Sequence, residues 1–190
     1  EYGGQRTPTA QWTATAAGCA VLTASGSGPY VTHVTTGHIV DAGITDVNNM
    51  GAAMAPAAYE TLRQHFADTG RDPGFYDLIV TGDLGLIGHR VVTDFFARDG
   101  IDMSKIYNDC GLMHFARREQ DVHAGGSGCG CSASVLCGYI LGEMRASRLK
   151  NVLFAATGAL MSPVSSGQGE SIPGICHAVA ISVVKEGHGA

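Results

Sequence analysis

The stretch YDLIVTGDLGL, residues 76–86, decides the fold class of this chain. Its centre is a short continuous apolar run, which is typical of a strand buried in a parallel sheet. The run breaks at Thr81-Gly82-Asp83, and the sequence predicts a helix from there to about residue 100. A buried strand that passes directly into a helix predicts an α/β protein.

The same alternation of strands and helices continues on both sides of this stretch. Segments rich in β-branched or continuous apolar residues predict further strands at residues 11–25, 30–40, 120–124, 151–158 and 176–184. Helical spacing of apolar residues predicts helices at residues 48–70, ending at Gly70, and at residues 132–147. Residues 101–119 are predicted to be irregular.

From residue 30 the predicted order is β-α-β-α-β-α-β-β. This order predicts a mostly parallel five-stranded sheet with helices on both faces, plus one extra N-terminal strand. Ligands of such sheets bind beyond the carboxyl ends of the strands. We therefore expect the turn at Gly82-Asp83 and the glycine-rich loop near residue 128 to meet at one site.

Composition excludes several classes of protein. Hydrophobic residues make up 45% of the 190 residues and charged residues only 15%, which fits a globular domain and not a disordered one. The formal net charge of −5 gives no general reason to bind nucleic acid. The sequence has no run of about 18 apolar residues, so we predict no transmembrane segment in this chain.

The loop HAGGSGCGCSAS, residues 123–134, is dense in glycine and cysteine. A tight turn would explain the glycines, because they let a strand and a helix pack closely. A loop that opens a helix also presents free N–H groups, which suit a carboxylate or phosphate. From the residues alone, a pure turn and a ligand-binding loop are about equally supported.

Cysteine chemistry is less well supported at this loop. Cys129 and Cys131 are one residue apart, whereas common zinc sites use a spacing of two to four, so we predict no metal site. A disulfide between them would close a strained ring. Cys19, Cys137 and Cys176 are interpreted as small buried hydrophobic residues.

Three long blocks resemble the stage V sporulation protein AD family: PTAQWTATAAG (8–18), QDVHAGGSGCGCSASV (120–135) and LFAATGALMSPVSSGQGESIPGICHAVAIS (153–182). The resemblance implies a thiolase-like fold built from two similar halves, of which this chain is the C-terminal half. Residues 1–29 would then hold the last strand of the N-terminal half, and residues 30–190 would form the C-terminal domain. The first residue is Glu1 and not Met, so we expect a piece of a longer protein.

The resemblance also implies that the catalytic residues of related condensing enzymes are replaced in this chain. Gly82, with Asp83 beside it, stands where those enzymes keep a catalytic His, and Cys129 stands where they keep a second His or an Asn. We therefore expect no catalytic residue and no cofactor. The expected ligand-binding residues are Gly82, Asp83, Cys129, Gly130 and Cys131.

The function implied by the resemblance is binding of dipicolinic acid, alone or as its calcium chelate, within the spore dipicolinic acid uptake system. Implied partners are other stage V sporulation A proteins, at the periphery of the spore inner membrane in the developing forespore, and a second copy of the complete protein in a homodimer. The alternatives are an active thiolase or ketoacyl-ACP synthase-type condensing enzyme that uses acyl-CoA or acyl carrier protein, and a scaffold that only assembles partners.

Overall fold

A computed structural model describes residues 6–185 of the chain. Within these residues the strands are β1 Trp12–Thr13, β2 Tyr30–Thr35, β3 Leu78–Thr81, β4 Tyr107–Asp109, β5 Gly126–Ser127, β6 Asn151–Ala159 and β7 Gly174–Ser182. The helices are α1 Met50–Thr69, α2 Gly85–Arg98, α3 Cys110–Met113, α4 Cys129–Val135, α5 Leu141–Arg145 and α6 Pro163–Gly167. A 3₁₀ turn covers Pro73–Phe75, and a π-helical turn, Leu136–Ile140, joins α4 to α5.

Five strands form the main sheet, in the order β2-β7-β6-β3-β4. Strand β3 pairs in parallel with β4 and β6, whereas β7 pairs antiparallel with both β2 and β6. Four strands therefore point in one direction and β7 alone runs against them. The expected mostly parallel five-stranded sheet is confirmed.

Helices cover both faces of this sheet, and successive residues of β3 face opposite layers, as the pleat of a strand requires. Ile79 packs in a cluster with Leu62 of α1 and Phe96 of α2. The next residue, Val80, packs in a second cluster with Ile140 from the helical segment that follows the glycine-rich loop. The apolar run that decided the fold class is thus buried because helices flank it on both sides.

The predicted N-terminal strand at residues 11–25 is wrong over most of its length. Only Trp12–Thr13 forms a strand, and it pairs in parallel with β5 outside the main sheet. Further along, the side chains of Val21 and Leu22 are 87% and 81% exposed. A β-branched composition does not make a strand unless another strand supplies the hydrogen bonds, and none of the described residues does so here.

The strand predicted at residues 120–124 is also wrong. The corresponding strand of the sheet is β4, Tyr107–Asp109, inside a segment that the sequence predicted to be irregular. Three residues with polar Asn and Asp carry no strand pattern of their own. They form a strand because β3 offers them an open parallel edge.

The helix predicted at residues 132–147 begins three residues earlier, at Cys129, and ends at Arg145. It contains the π-helical turn, which periodicity does not predict. By contrast, α1 ends as predicted, since Gly70 adopts the left-handed conformation at φ 65°. Among residues 6–185, no helix combines the length and the apolar character that a membrane-spanning segment requires.

Candidate ligand-binding cleft

A cleft of about 260 Å³ opens beyond the carboxyl ends of β3 and β6. It lies where the turn after β3, the glycine-rich loop and the end of β6 meet. Its lining residues are Met50, Met54, Asp83, Ser127, Gly128, Cys129, Ser132, Thr157, Gly158 and Ala159. The two loops that the sequence predicted to converge therefore do converge, at the edge of the sheet where such proteins bind ligands.

Asp83 joins the three walls of the cleft through its carboxylate. Oδ2 accepts the backbone N–H of Gly128 at 2.8 Å and the hydroxyl of Ser127 at 3.4 Å. Oδ1 accepts the hydroxyl of Thr157 at 3.2 Å, and the Asp83 N–H donates to Thr157 Oγ1 at 3.3 Å. Burial raises the pKa of Asp83, and these hydrogen bonds oppose the rise. Asp83 therefore connects the turn after β3 to the glycine-rich loop and to the end of β6 through hydrogen bonds.

A second carboxylate, Asp109 at the end of β4, holds the turn from the opposite side and is fully buried. Oδ2 accepts the hydroxyl of Thr81 at 2.7 Å and the N–H of Leu84 at 2.9 Å. Oδ1 accepts the N–H groups of Gly85 and Gly111, each at 2.9 Å. Burial raises the pKa of Asp109 to about 6, and the hydrogen bonds from Thr81, Gly85 and Leu84 oppose the rise. Asp109 thereby fixes the start of α2.

Sequence reasoning missed Asp109 because it lies in the segment predicted to be irregular. One signal was available: Asp is a favoured residue at the position before a helix, and Cys110–Met113 is a helix that Asp109 caps through the Gly111 N–H. The pattern does not reveal that the same carboxylate also reaches the turn after β3. That contact depends on β4 lying beside β3 in the sheet.

Two of the five expected ligand-binding residues, Asp83 and Cys129, line the cleft. Gly82 is not among the lining residues, and a Cβ atom at this position would stand 2.7 Å from Thr157 Oγ1. Glycine at position 82 therefore lets the turn pack against β6.

The structure places the other two expected residues away from the cleft. A Cβ atom on Gly130 would stand 2.1 Å from the Ala16 carbonyl oxygen, so Gly130 contacts the N-terminal segment. Cys131 is fully buried in the core between the helix and the sheet. The helix begins at Cys129, and Cys131 follows two residues later. Two residues of helix turn the side-chain direction by about 200°, so Cys131 points to the inward face while Cys129 lines the cleft.

The thiols of Cys110, Cys131 and Cys176 are free and buried, and burial raises the pKa of Cys131 and of Cys176 to about 12. The expected burial of Cys176 is confirmed, whereas Cys19 is exposed because its segment is not part of a strand. Cys137 is intermediate. Across residues 6–185, no three His, Cys, Asp or Glu side chains converge in a way that could hold a metal ion.

The fold and the cleft define an α/β protein with a glycine-rich loop site at the carboxyl ends of its strands. The sequence profile of the family described as Stage V sporulation protein AD (SpoVAD) matches residues 1–182. Stage V sporulation protein AD of Bacillus subtilis (strain 168) is 45% identical over 179 residues, which cover 94% of this chain and 53% of that protein. The chain therefore belongs to the stage V sporulation protein AD family, as its sequence blocks indicate.

The chain spans about half the length of this curated relative, 53%. Among solved structures it is similar to a 3-oxoacyl-(acyl-carrier-protein) synthase III, with a TM-score of 0.47 and 12% sequence identity. That similarity covers 85% of this chain and 51% of the synthase.

Proposed function

We propose that this chain is the cleft-bearing part of a non-enzymatic protein that binds dipicolinic acid during sporulation. Membership of a sporulation family supports the biological setting. The observation that favours binding over catalysis is the set of residues that line the cleft. Of the described residues that line it, only Asp83 and Cys129 are ionisable, and neither an imidazole nor an amine is among them.

The groups around the cleft suit a flat aromatic dicarboxylate. Cys129 lines the cleft and begins a helical segment, so its backbone N–H group has no acceptor within that segment and is available to a carboxylate. Met50 and Met54 also line the cleft, and polarisable thioethers such as theirs pack well against an aromatic ring. The second carboxylate requires further donors, which we assign to the part of the complete protein outside this chain.

A condensing enzyme is the competing function, and the cleft gives it little support. An activated thiol needs an adjacent base. The carboxylate of Asp83 is engaged by Ser127, Gly128 and Thr157, so it is poorly placed to take a proton from Cys129. The Cys129 thiol is also exposed to solvent.

The remaining parts of the proposal follow from the family. We place the complete protein at the periphery of the spore inner membrane in the developing forespore, beside other stage V sporulation A proteins. We also propose that the complete protein has the thiolase-like fold and forms a homodimer. These assignments concern a complete protein of the family, and the chain spans about half the length of its curated relative.

Calorimetric titration of the full-length protein with dipicolinic acid, with and without calcium, tests the proposed function. We expect binding clearly tighter than that of benzoic acid, which shares the aromatic ring and one carboxylate. Ser132→Phe, which fills the cleft, should abolish binding, and Cys137→Ala, away from the lining residues, should leave it unchanged. Equal affinity for the two acids would overturn the proposal.

A second assay addresses the enzyme alternative. Full-length protein is incubated with acyl-CoA, and mass spectrometry searches for a thioester on the protein or a condensation product. We expect neither above the level of buffer alone. Turnover that is lost in Cys129→Ser would replace the binding function with an acyl-transfer function.

A further inference from the structure

Residues 10–14 run along the back of the glycine-rich loop as a strap. The Ala124 N–H donates to the Ala10 carbonyl at 2.9 Å, and the Trp12 N–H donates to the Gly125 carbonyl at 2.8 Å. The Ala14 N–H donates to the Ser127 carbonyl at 2.8 Å. The strap therefore runs alongside the loop, and none of its residues lines the cleft.

One side chain of the strap reaches through to the turn after β3. The Gln11 carboxamide nitrogen donates to the Asp83 carbonyl oxygen at 2.8 Å and to the Gly126 carbonyl oxygen at 2.7 Å. Its two N–H bonds therefore connect two loops that carry cleft-lining residues. The same nitrogen would stand 2.7 Å from a Cβ atom on Gly85, which adopts φ +62°, so the start of α2 leaves room for the amide.

We propose that Gln11 is a positioning residue of the ligand-binding cleft. It sets the distance between the turn after β3 and the glycine-rich loop, on which the contact between Asp83 and Gly128 depends. The ligand named in the test rests on the proposed function, whereas the positioning role rests on these hydrogen bonds. A primary amide suits this position because its nitrogen carries two N–H donors, one for each carbonyl acceptor, and bears no charge.

Contacts of the residues just before the strap help to hold Gln11 in place. Arg6 forms an ion pair with Asp121, and its guanidinium lies 5.0 Å from the centre of the Trp12 ring. The ring of His123 contacts the Thr7 carbonyl through Nδ1 at 2.7 Å. The strap is thus held by its own contacts, and loss of the Gln11 amide should loosen the two loops without releasing the strap.

The test uses the full-length protein with Gln11→Met, which keeps the length of the side chain and removes both donors. Gln64→Met on the exposed face of α1 is the matched control. The two readouts are the dissociation constant of dipicolinic acid and the rate of amide hydrogen exchange in peptides covering residues 82–86 and 123–130. If Gln11→Met does not fold, Gln11→Asn, whose amide is one methylene too short to reach both carbonyls, replaces it.

We expect Gln11→Met to weaken dipicolinic acid binding about tenfold, because small displacements of binding groups are costly. Exchange should be faster in both peptides, and the control variant should match the wild type. Unchanged exchange, or unchanged affinity in a protein that binds the ligand, would overturn the positioning role. If the wild-type protein does not bind dipicolinic acid, the proposed function fails and the exchange rates alone decide the role of Gln11.

Discussion

The carboxylate of Asp83 accepts the backbone N–H of Gly128 at 2.8 Å and so links the turn after β3 to the glycine-rich loop. The two residues are 45 positions apart in the chain. Their contact makes a single cleft out of loops that follow different strands. A carboxylate at this place therefore has a structural task, and the first prediction separates that task from its charge.

Asp83→Asn should keep the free energy of unfolding within about 1 kcal/mol of the wild type, because an Asn oxygen can accept the Gly128 N–H while its amide donates to Thr157 Oγ1. Asp83→Ala leaves the Gly128 N–H without its acceptor and should lower the free energy of unfolding by about 1–3 kcal/mol. Urea unfolding of both variants measures the difference. Equal losses in the two variants would show that the charge, and not the hydrogen-bonding geometry, matters.

Asp109→Asn should be far more harmful than the same change at Asp83. Each carboxylate oxygen of Asp109 accepts two hydrogen bonds. In the Asn variant, the NH₂ group would therefore face two hydrogen-bond donors in either orientation of the amide. We expect the free energy of unfolding to fall by about 2–4 kcal/mol at neutral pH, since two buried donors lose their acceptor. Urea unfolding checks this, and a loss no larger than that of Asp83→Asn would contradict it.

The stability contribution of Asp109 should also depend on pH. Its pKa in the folded protein, about 6, lies above the value near 4 of an unfolded chain, so the folded state binds the proton more tightly. The resulting stabilisation is complete below about pH 4 and is lost as the pH rises through about 6. The difference in unfolding free energy between wild type and Asp109→Asn should therefore be larger at pH 4.5 than at pH 7.5. A difference that grows with pH would show that the four donors outweigh burial.

Gly130→Ala and Gly142→Ala form a matched pair on one continuous helical segment. A Cβ atom at position 130 meets the Ala16 carbonyl oxygen at 2.1 Å, whereas one at position 142 meets nothing within 4 Å. Gly142→Ala should stabilise the protein by about 0.5–1 kcal/mol through helix propensity. Gly130→Ala should destabilise it because the segment at Ala16 or the helix must move. Thermal unfolding of both variants decides, and equal shifts in melting temperature would refute the close contact.

The sequence predicted the sheet and its helices from segments that carry a strong pattern of their own. The run at residues 76–83 and the helix that ends at Gly70 are recognisable because burial on two faces and a left-handed terminal glycine each leave a local signature. The predicted convergence of the Gly82-Asp83 turn with the glycine-rich loop follows from the same reasoning. These features depend on residues close together in the chain.

Tertiary structure alone decided which side chains face the cleft. Cys129 lines it and Cys131 does not, because the helix starts at Cys129 and turns the later residue inward. Gly130 faces the N-terminal segment at Ala16, a contact between distant parts of the chain. Gln11 has no local pattern that marks it, and the local signal at Asp109 indicates only a helix cap. Their other partners lie on strands and loops that folding alone brings close. Hydrogen bonds between distant segments leave no periodicity in a sequence, and they are what shapes this site.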